Sequence, residues 1–353
     1  MAILFPAFLA WSSEGVLPAV HDLQRCDVQV LDVPPHISAK LVNRKRPETK
    51  AWATNNVERN DDTFQYGVDF WMHRHLTLNQ ENNGTNPAPL HYLPIYFSFI
   101  HIFHPEYRDK ALRVLSSVEK GPSTIVPHGH PGVCADGSKK MTRLVTDTTL
   151  CVDTQYSIPV PYVVSHPPWL LAPRLPVVNR TNLLFFRGHL PKNYIDKKQV
   201  RAHLYESLKN VEGIIVEAAT STSKASYVDH QTYLDNMLRS KFCLCPRGDT
   251  AGSKRLYESI VAGCIPVIVS DGLELPFKRH IDWPSMSVRI SETEALRNPV
   301  GIVDKLKNMP TSAVRSMHTN LLRNRHAFVW AAHDSRKQAV DYIWDEMCQL
   351  NRT

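Results

Sequence analysis

An α/β fold built on parallel sheets is what this sequence predicts, and three observations predict it. The stretch Lys241–Asp271, KFCLCPRGDTAGSKRLYESIVAGCIPVIVSD, reads as strand, glycine loop, helix, strand, which is one βαβ unit. The second half of the chain repeats that alternation throughout, apolar strand runs being separated by segments with helical spacing. The segment Ser165–Asn182, SHPPWLLAPRLPVVNRTN, is proline-rich and aperiodic, and so marks a domain boundary. The organisation expected is a first domain over 1–165, a linker over 166–182, a second domain over 183–330 and a C-terminal segment over 331–353.

At 353 residues the chain can hold two domains with their own cores. Hydrophobic residues make up 43% and charged residues 21%, ordinary globular usage that argues against disorder. The formal net charge of +7 favours anionic partners. A nucleic-acid-binding protein would cluster Lys and Arg among aromatics. No basic run stands out beyond Asn43-Arg44-Lys45-Arg46 and Lys139-Lys140, so no nucleic-acid partner is expected. The seven cysteines make no zinc-finger spacing with histidine; most read as small core residues, with one or two disulfides possible in an oxidising compartment. Asn83, Asn179 and Asn351 each open an Asn-X-Thr triplet, the N-glycosylation pattern, which chance also produces. The apolar opening MAILFPAFLAW is too short to span a bilayer and is interrupted by Pro6.

In chain order, Val28–Val33 is the first strand-like run, and Leu93–Phe103 is a buried strand or helix of the first core. Arg108–Glu119 places Ala111, Leu112, Leu115 and Val118 at helical spacing. Thr124-Ile125-Val126 is a strand that runs into the loop Pro127–Cys134. There His128 and His130 either border a cleft or have no chemical task. Leu150–Val152 and Val160–Val164 are further strands. Past the linker come a strand at Leu183–Phe186, its turn at Arg187-Gly188-His189, a helix over Val200–Leu208, a strand over Gly213–Val216 and a helix over Tyr227–Arg239. Helices are then expected over Ala295–Met309, Ala313–Trp330 and Gln338–Leu350, the last with Val340, Ile343, Trp344 and Met347 on one side.

The central unit carries the chemistry. Phe242 and Leu244 end a buried strand, Gly248 and Gly252 let the loop turn tightly, Ser253 is placed as an N-cap and Gly263 suits the position past the helix. The loop is neither a Walker A loop nor a GxGxxG fingerprint, so a phosphate cradle and an ordinary βα turn both fit it. Lys254 and Arg255 fall in the first helical turn, where the dipole disfavours cations and a bound anion would offset the repulsion. A surface ion pair between Arg255 and Glu258, three residues apart, is the plain alternative.

The run SKFCLCPRGDTAGSKRLYESIVAGCIPVIVSDGLELPF resembles the signature of the exostosin-type glycosyltransferases. Asp282-Trp283 with Ser287-Val288, and Leu184–Gly188 upstream, resemble two further stretches of that family; the likeness covers roughly Leu93 to Trp330. The resemblance implies the GT-B architecture, α/β with two Rossmann-like domains facing a central cleft: an acceptor-side first domain, a nucleotide-sugar donor domain second, and the C-terminal helix packing back on the first. It implies an inverting transfer from a nucleotide-diphosphate sugar, a UDP-sugar for preference, to a glycan or glycoprotein, with no metal required. Gly248, Ser253 and the helix N-terminus would hold the diphosphate, Arg255 would neutralise it, Glu258 would bind the ribose, and Arg187, Gly188 and Arg247 would border the same cleft.

The family's Pro-His-Asp-x-Gly-x-Cys stretch has a counterpart in Pro127–Cys134, which lacks the Asp and carries one extra residue. His128 and His130 are the candidate general bases, with Asp136 nearby. The departure also fits a partner subunit that binds donor or glycan with weakened catalysis, in a homodimer or a heterodimer with a related transferase. The resemblance implies a Golgi lumen or Golgi membrane location.

Overall fold

Two five-stranded sheets, both entirely parallel, organise the chain. The computed structural model describes residues 23, 25–38, 67–79, 90–118, 121–129, 138, 140–149, 156–164, 176–190, 199–219, 226–330 and 337–350. The first sheet contains β1 (Val28–Val30), β2 (Leu90–Tyr92), β3 (Thr124–His128), β4 (Thr142–Val145) and β5 (Ser157–Pro159), lying side by side in sequence order. Helices α1 (Val68–Leu78), α2 (Phe97–Phe103) and α3 (Arg108–Ser117) fall between its first three strands.

The second sheet is made of β6 (Asn182–Gly188), β7 (Ile215–Ala218), β8 (Ser240–Pro246), β9 (Ile265–Val269) and β10 (Val288–Arg289). Its order is β7-β6-β8-β9-β10, the doubly wound 2-1-3-4-5 arrangement of flavodoxin-like sheets. Helices α4 (Val200–Leu208), α5 (Ser226–Arg239) and α6 (Lys254–Val261) make its first three crossovers. Four more helices follow: α7 (Glu292–Arg297), α8 (Pro299–Lys307), α9 (Thr311–Asn324) and α10 (Ala339–Gln349). The α/β class and the paired parallel sheets of the GT-B reading are both present.

The β8–α6–β9 unit forms where the sequence places it, because β9 and the run Phe242–Pro246 of β8 are apolar without interruption. All five residues of β9 are buried, as are the last five of β8, as a strand covered on both faces requires. Helix α6 ends in a Schellman motif. Gly263 adopts φ +70, its N–H donates to the Ile260 carbonyl at 2.9 Å, and the Cys264 N–H donates to Ser259 at 2.8 Å. Only glycine holds that left-handed position without strain. Cys264 is bonded to Cys243 of β8, which fixes the start of β9 against its neighbour.

Other elements depart from the sequence expectation for identifiable reasons. Leu93–Phe103 is neither one strand nor one helix; β2 stops at Tyr92, Pro94 offers no donor, and α2 starts at Phe97. The expected helix over Ala295–Met309 is two, since Pro299 opens α8 and Asn298 caps it by accepting the Gly301 N–H at 3.0 Å. The strand expected from Gly213 starts instead at Ile215, because Gly213 turns at φ +81. The strand expected at Val160–Val164 pairs earlier, over Ser157–Pro159. The run Leu150–Val152 lies outside the described residues.

Helix α10 opens on a capping box between Gln338 and Asp341 and buries Val340, Ile343, Trp344 and Met347. Its Cys348 is bonded to Cys26, Trp344 Nε1 donates to the Cys26 carbonyl at 3.0 Å, and Arg25 pairs with Asp341 at 2.9 Å. The last helix is thereby fastened to the segment that leads into β1. No helix among the described residues is long and apolar enough to cross a membrane.

Candidate functional site

In an open α/β sheet the crevice opens at the carboxyl ends of the two strands where the winding reverses. Here those strands are β6 and β8, and four elements converge on that point: the end of β6 at Arg187-Gly188, the loop Arg247–Gly252, the start of α4 and the start of α6.

Arg255, on the first turn of α6, is the buried cation of the crevice. It is 9% exposed; its Nε donates to the Arg187 carbonyl at 2.9 Å, and its guanidinium lies 4.7 Å from the Phe186 ring centroid. Its Nη1 is buried and has no hydrogen-bond partner among the described residues. A buried guanidinium N–H without an acceptor is costly in a finished fold, and at the mouth of a crevice it is suited to an anion. The glycine at 188 follows from this packing, because a Cβ there would sit 2.3 Å from Arg255 Nη2.

A second arginine, Arg201, mirrors it from the first turn of α4. Its Nη1 donates to the His189 carbonyl at 3.0 Å, and its Nη2 lies 2.5 Å from where a Cβ on Gly248 would be. Burial, with the like charge of Arg255 beside it, pulls the Arg201 guanidinium down to about 10, against the opposing pull of Asp249. Two guanidiniums held this close are stabilised when negative charge enters between them. Arg201 carries the same signal as Lys254 and Arg255, a cation in the first turn of a helix at the ligand edge, and that signal was the way to find it from sequence.

The other cations named from the sequence, Lys254, Arg187 and Arg247, are paired among the described residues. Lys254 Nζ lies 3.3 Å from Glu258 Oε1, and the Tyr233 hydroxyl donates to Glu258 Oε2 at 2.6 Å, so Glu258 pairs with Lys254 rather than with Arg255. Arg187 Nε is 3.8 Å from Glu217 and Arg247 Nη1 is 3.7 Å from Glu292, which leaves the Arg187 carbonyl and backbone to border the crevice. Ser253 holds the N-cap position of α6 in an extended conformation without a side-chain cap bond.

The first sheet reaches the same crevice through Asp147, just past β4. Its Oδ1 accepts from the Thr149 N–H at 2.9 Å and hydroxyl at 2.5 Å, and its Oδ2 accepts from the Gly252 N–H in the glycine loop. Tyr162 and Tyr257 meet beside it, ring centroids 6.1 Å apart. Sequence reading missed Asp147, whose Thr-Asp-Thr-Thr context carries no pattern. His128 ends β3, 1% exposed, its ring stacked on Phe97 with centroids 5.2 Å apart. His130 and Asp136 lie outside the described residues.

With that geometry in place, known sequences can be compared. The profile of the exostosin GT47 domain matches residues 91–306, more than half of the chain. The chain belongs to the exostosin GT47 family. The matched span takes in the ends of both sheets that meet at Asp147 and Gly252. A probable arabinosyltransferase of Arabidopsis thaliana, ARAD1, is 30% identical over 234 residues, covering 64% of this chain and 50% of its own length. A probable glucuronosyltransferase of Oryza sativa subsp. japonica, GUT1, is 34% identical over 151 residues, covering 40% and 33%. The chain thus spans half the length of the first of these relatives and less of the second. A solved structure of Staphylococcus aureus TarM is 9% identical, covers 73% of this chain and 59% of its own, and has a TM-score of 0.33, too loose to argue from.

Proposed function

We propose that this member of the exostosin GT47 family is an inverting glycosyltransferase that moves a sugar from a nucleotide-diphosphate sugar to a glycan or glycoprotein acceptor. The observation that carries this reading is the buried Arg255 Nη1 without an acceptor, at the switch point of the second sheet, beside Arg201 and the N-terminus of α6. Arg255 and Arg201 supply charge for a diphosphate, and the backbone at Gly188 and Gly248 approaches closely enough to seat it. As the bond from the anomeric carbon to the donor oxygen breaks, charge grows on the diphosphate. Preorganised guanidiniums and the helix dipole stabilise that charge more than they stabilise the bound donor. Glu258, buried and fixed by Lys254 and Tyr233, is the carboxylate assigned in this reading to accept from ribose hydroxyls. The relatives named arabinosyl- and glucuronosyltransferases support sugar transfer, and a uridine-diphosphate sugar is the donor of this reading.

A donor-binding subunit with weak turnover is the second reading, favoured by the burial of His128 against Phe97, which keeps that ring from an acceptor hydroxyl in this arrangement. One calorimetric series tests both. Uridine diphosphate is expected to bind wild-type protein and to bind Arg255→Ala about 100-fold more weakly, the equivalent of roughly 3 kcal/mol. Equal binding by both proteins would overturn the donor site. Binding without sugar transfer to any glycan acceptor would select the second reading.

A further inference from the structure

We propose that Asn179 carries an N-linked glycan, on the edge of the second sheet opposite the donor crevice. Asn179 closes a single 3-10 turn, Val177–Asn179, in which its N–H donates to the Pro176 carbonyl at 2.9 Å. The next residue, Arg180, is extended at φ −74 and ψ 131, and its side chain is 3% exposed. Its guanidinium is pinned inward: Nη1 donates to the Ser240 carbonyl at 2.9 Å, and Nη2 donates to His318 Nε2 at 3.2 Å. From the extended Arg180 the next side chain, Thr181, projects to the face Arg180 does not use, while Asn179 is set at the exposed end of the 3-10 turn it closes. With Arg180 driven into the core, Asn179 and Thr181 are both turned outward, and both are exposed. The amide and the hydroxyl of the Asn-Arg-Thr triplet therefore share one solvent face, which is the arrangement a glycan-transferring enzyme must read.

Two independent observations support this assignment. The disulfides Cys26–Cys348 and Cys243–Cys264 belong to an oxidising compartment, and N-glycans are added to chains entering such compartments. The location is also harmless to the crevice. Asn179 precedes the start of β6 at Asn182, whereas Gly188 at its end borders Arg255; at about 3.3 Å per residue the strand sets the two roughly 20 Å apart. In the modification the Asn179 side-chain nitrogen bonds to the anomeric carbon of an oligosaccharide. The bond from that carbon to a lipid diphosphate breaks, the diphosphate leaves as the anion, and the amide gives up one proton.

The test is site-resolved mass spectrometry on the protein recovered from the cells that make it, digested and treated with peptide N-glycosidase in heavy-oxygen water. The expected result is conversion of Asn179 to isotopically labelled Asp. In tagged variants expressed in the same cells, Thr181→Ala is expected to abolish the label and Thr181→Ser to retain it. Asn179→Gln is expected to lose one glycan while binding uridine diphosphate as wild type does. A peptide with unlabelled Asn179 would overturn the proposal. Because the readout is the modified residue, Asn83 and Asn351 cannot stand in for it, and its failure leaves the donor site untouched.

Discussion

The two parallel sheets share a class and differ at their carboxyl edges. In the second, the order turns back at β6, so the ends of β6 and β8 part and leave room between them. In the first, the described strands run in sequence order with no reversal, and described polar groups near that edge are held by the protein's own atoms. His128 is stacked on Phe97 there, and the fully buried Asp69 accepts from the Phe70 N–H at 3.1 Å and the Ser98 N–H at 3.3 Å. A parallel sheet does not make a ligand site by itself. Strand order decides where a crevice opens, and the side chains at that point decide whether it is left wanting a charge.

The largest way to break this contrast is at Arg255, whose truncation is expected to cost about 100-fold in nucleotide-diphosphate affinity. The truncation removes the unsatisfied Nη1 together with the bond to the Arg187 carbonyl and the contact with Phe186, so the loss of affinity is read against the variant's own unfolding midpoint. Gly188→Ala is the next sharpest instrument, since its methyl would strike Arg255 Nη2 and push the guanidinium off Phe186. About a tenfold loss of affinity with an unchanged unfolding midpoint is expected. A large drop in the midpoint would instead assign the glycine to folding.

Arg201→Gln should cost about tenfold in affinity with less disturbance of the fold, as the smaller share of a two-cation site. Calorimetry at two salt concentrations checks it: the variant should bind with a shallower salt dependence than wild type. An unchanged salt dependence would place the anion on Arg255 alone. Asp147→Asn asks how far the first sheet holds the loop of the second. It keeps an acceptor for the Gly252 N–H and removes the charge, so a two- to threefold rise in donor KM is expected, roughly half a kcal/mol. No change in KM would show that the carboxylate's charge does not position the loop.

What could be read from sequence follows the same contrast. The β8–α6–β9 unit was legible, β9 to the residue and β8 to within one at each end, because double-sided burial demands an apolar strand and the Schellman turn demands Gly263. Strand β4 was not, because Arg143 interrupts its pattern and yet is 2% exposed, a buried cation in an otherwise apolar run. Helix α1 was hidden for a related reason: its fully buried Asp69 and two histidines blur the apolar stripe. Leu93–Phe103 stayed ambiguous since a continuous apolar run fits strand and helix alike, and the decision rested on Pro94. Arg255 was found by position in a motif. Asp147 needed the third dimension, and so did the pairing of Arg201, itself a first-turn cation, with Arg255, because only the fold brings separate loops to one crevice.

The finest test of the contrast is its response to pH. Burial pushes the Asp69 carboxyl up to about 7, so the folded first unit prefers it neutral. Its stabilising contribution is fully present below the unfolded value near 3.8 and is lost as pH rises through about 7. His318, which accepts from Arg180 at the foot of the second sheet, has the opposite sign. Burial, then the charges of Arg180 and Arg325, hold its imidazole down to about 4. Its contribution is fully present above the unfolded value near 6.5 and is lost as pH falls through about 4. Hydrogen exchange read on peptides covering 67–79 and 311–324, corrected for intrinsic rates, should show α1 loosening from pH 4 to 7 and α9 loosening from pH 6.5 to 4. Each slope is limited to about 1.4 kcal/mol per pH unit for a single proton. Asp69→Asn should flatten only the first slope and His318→Gln only the second. If both peptides follow one common slope in every variant, the two sheets open as a single cooperative unit, and their difference is confined to the crevice.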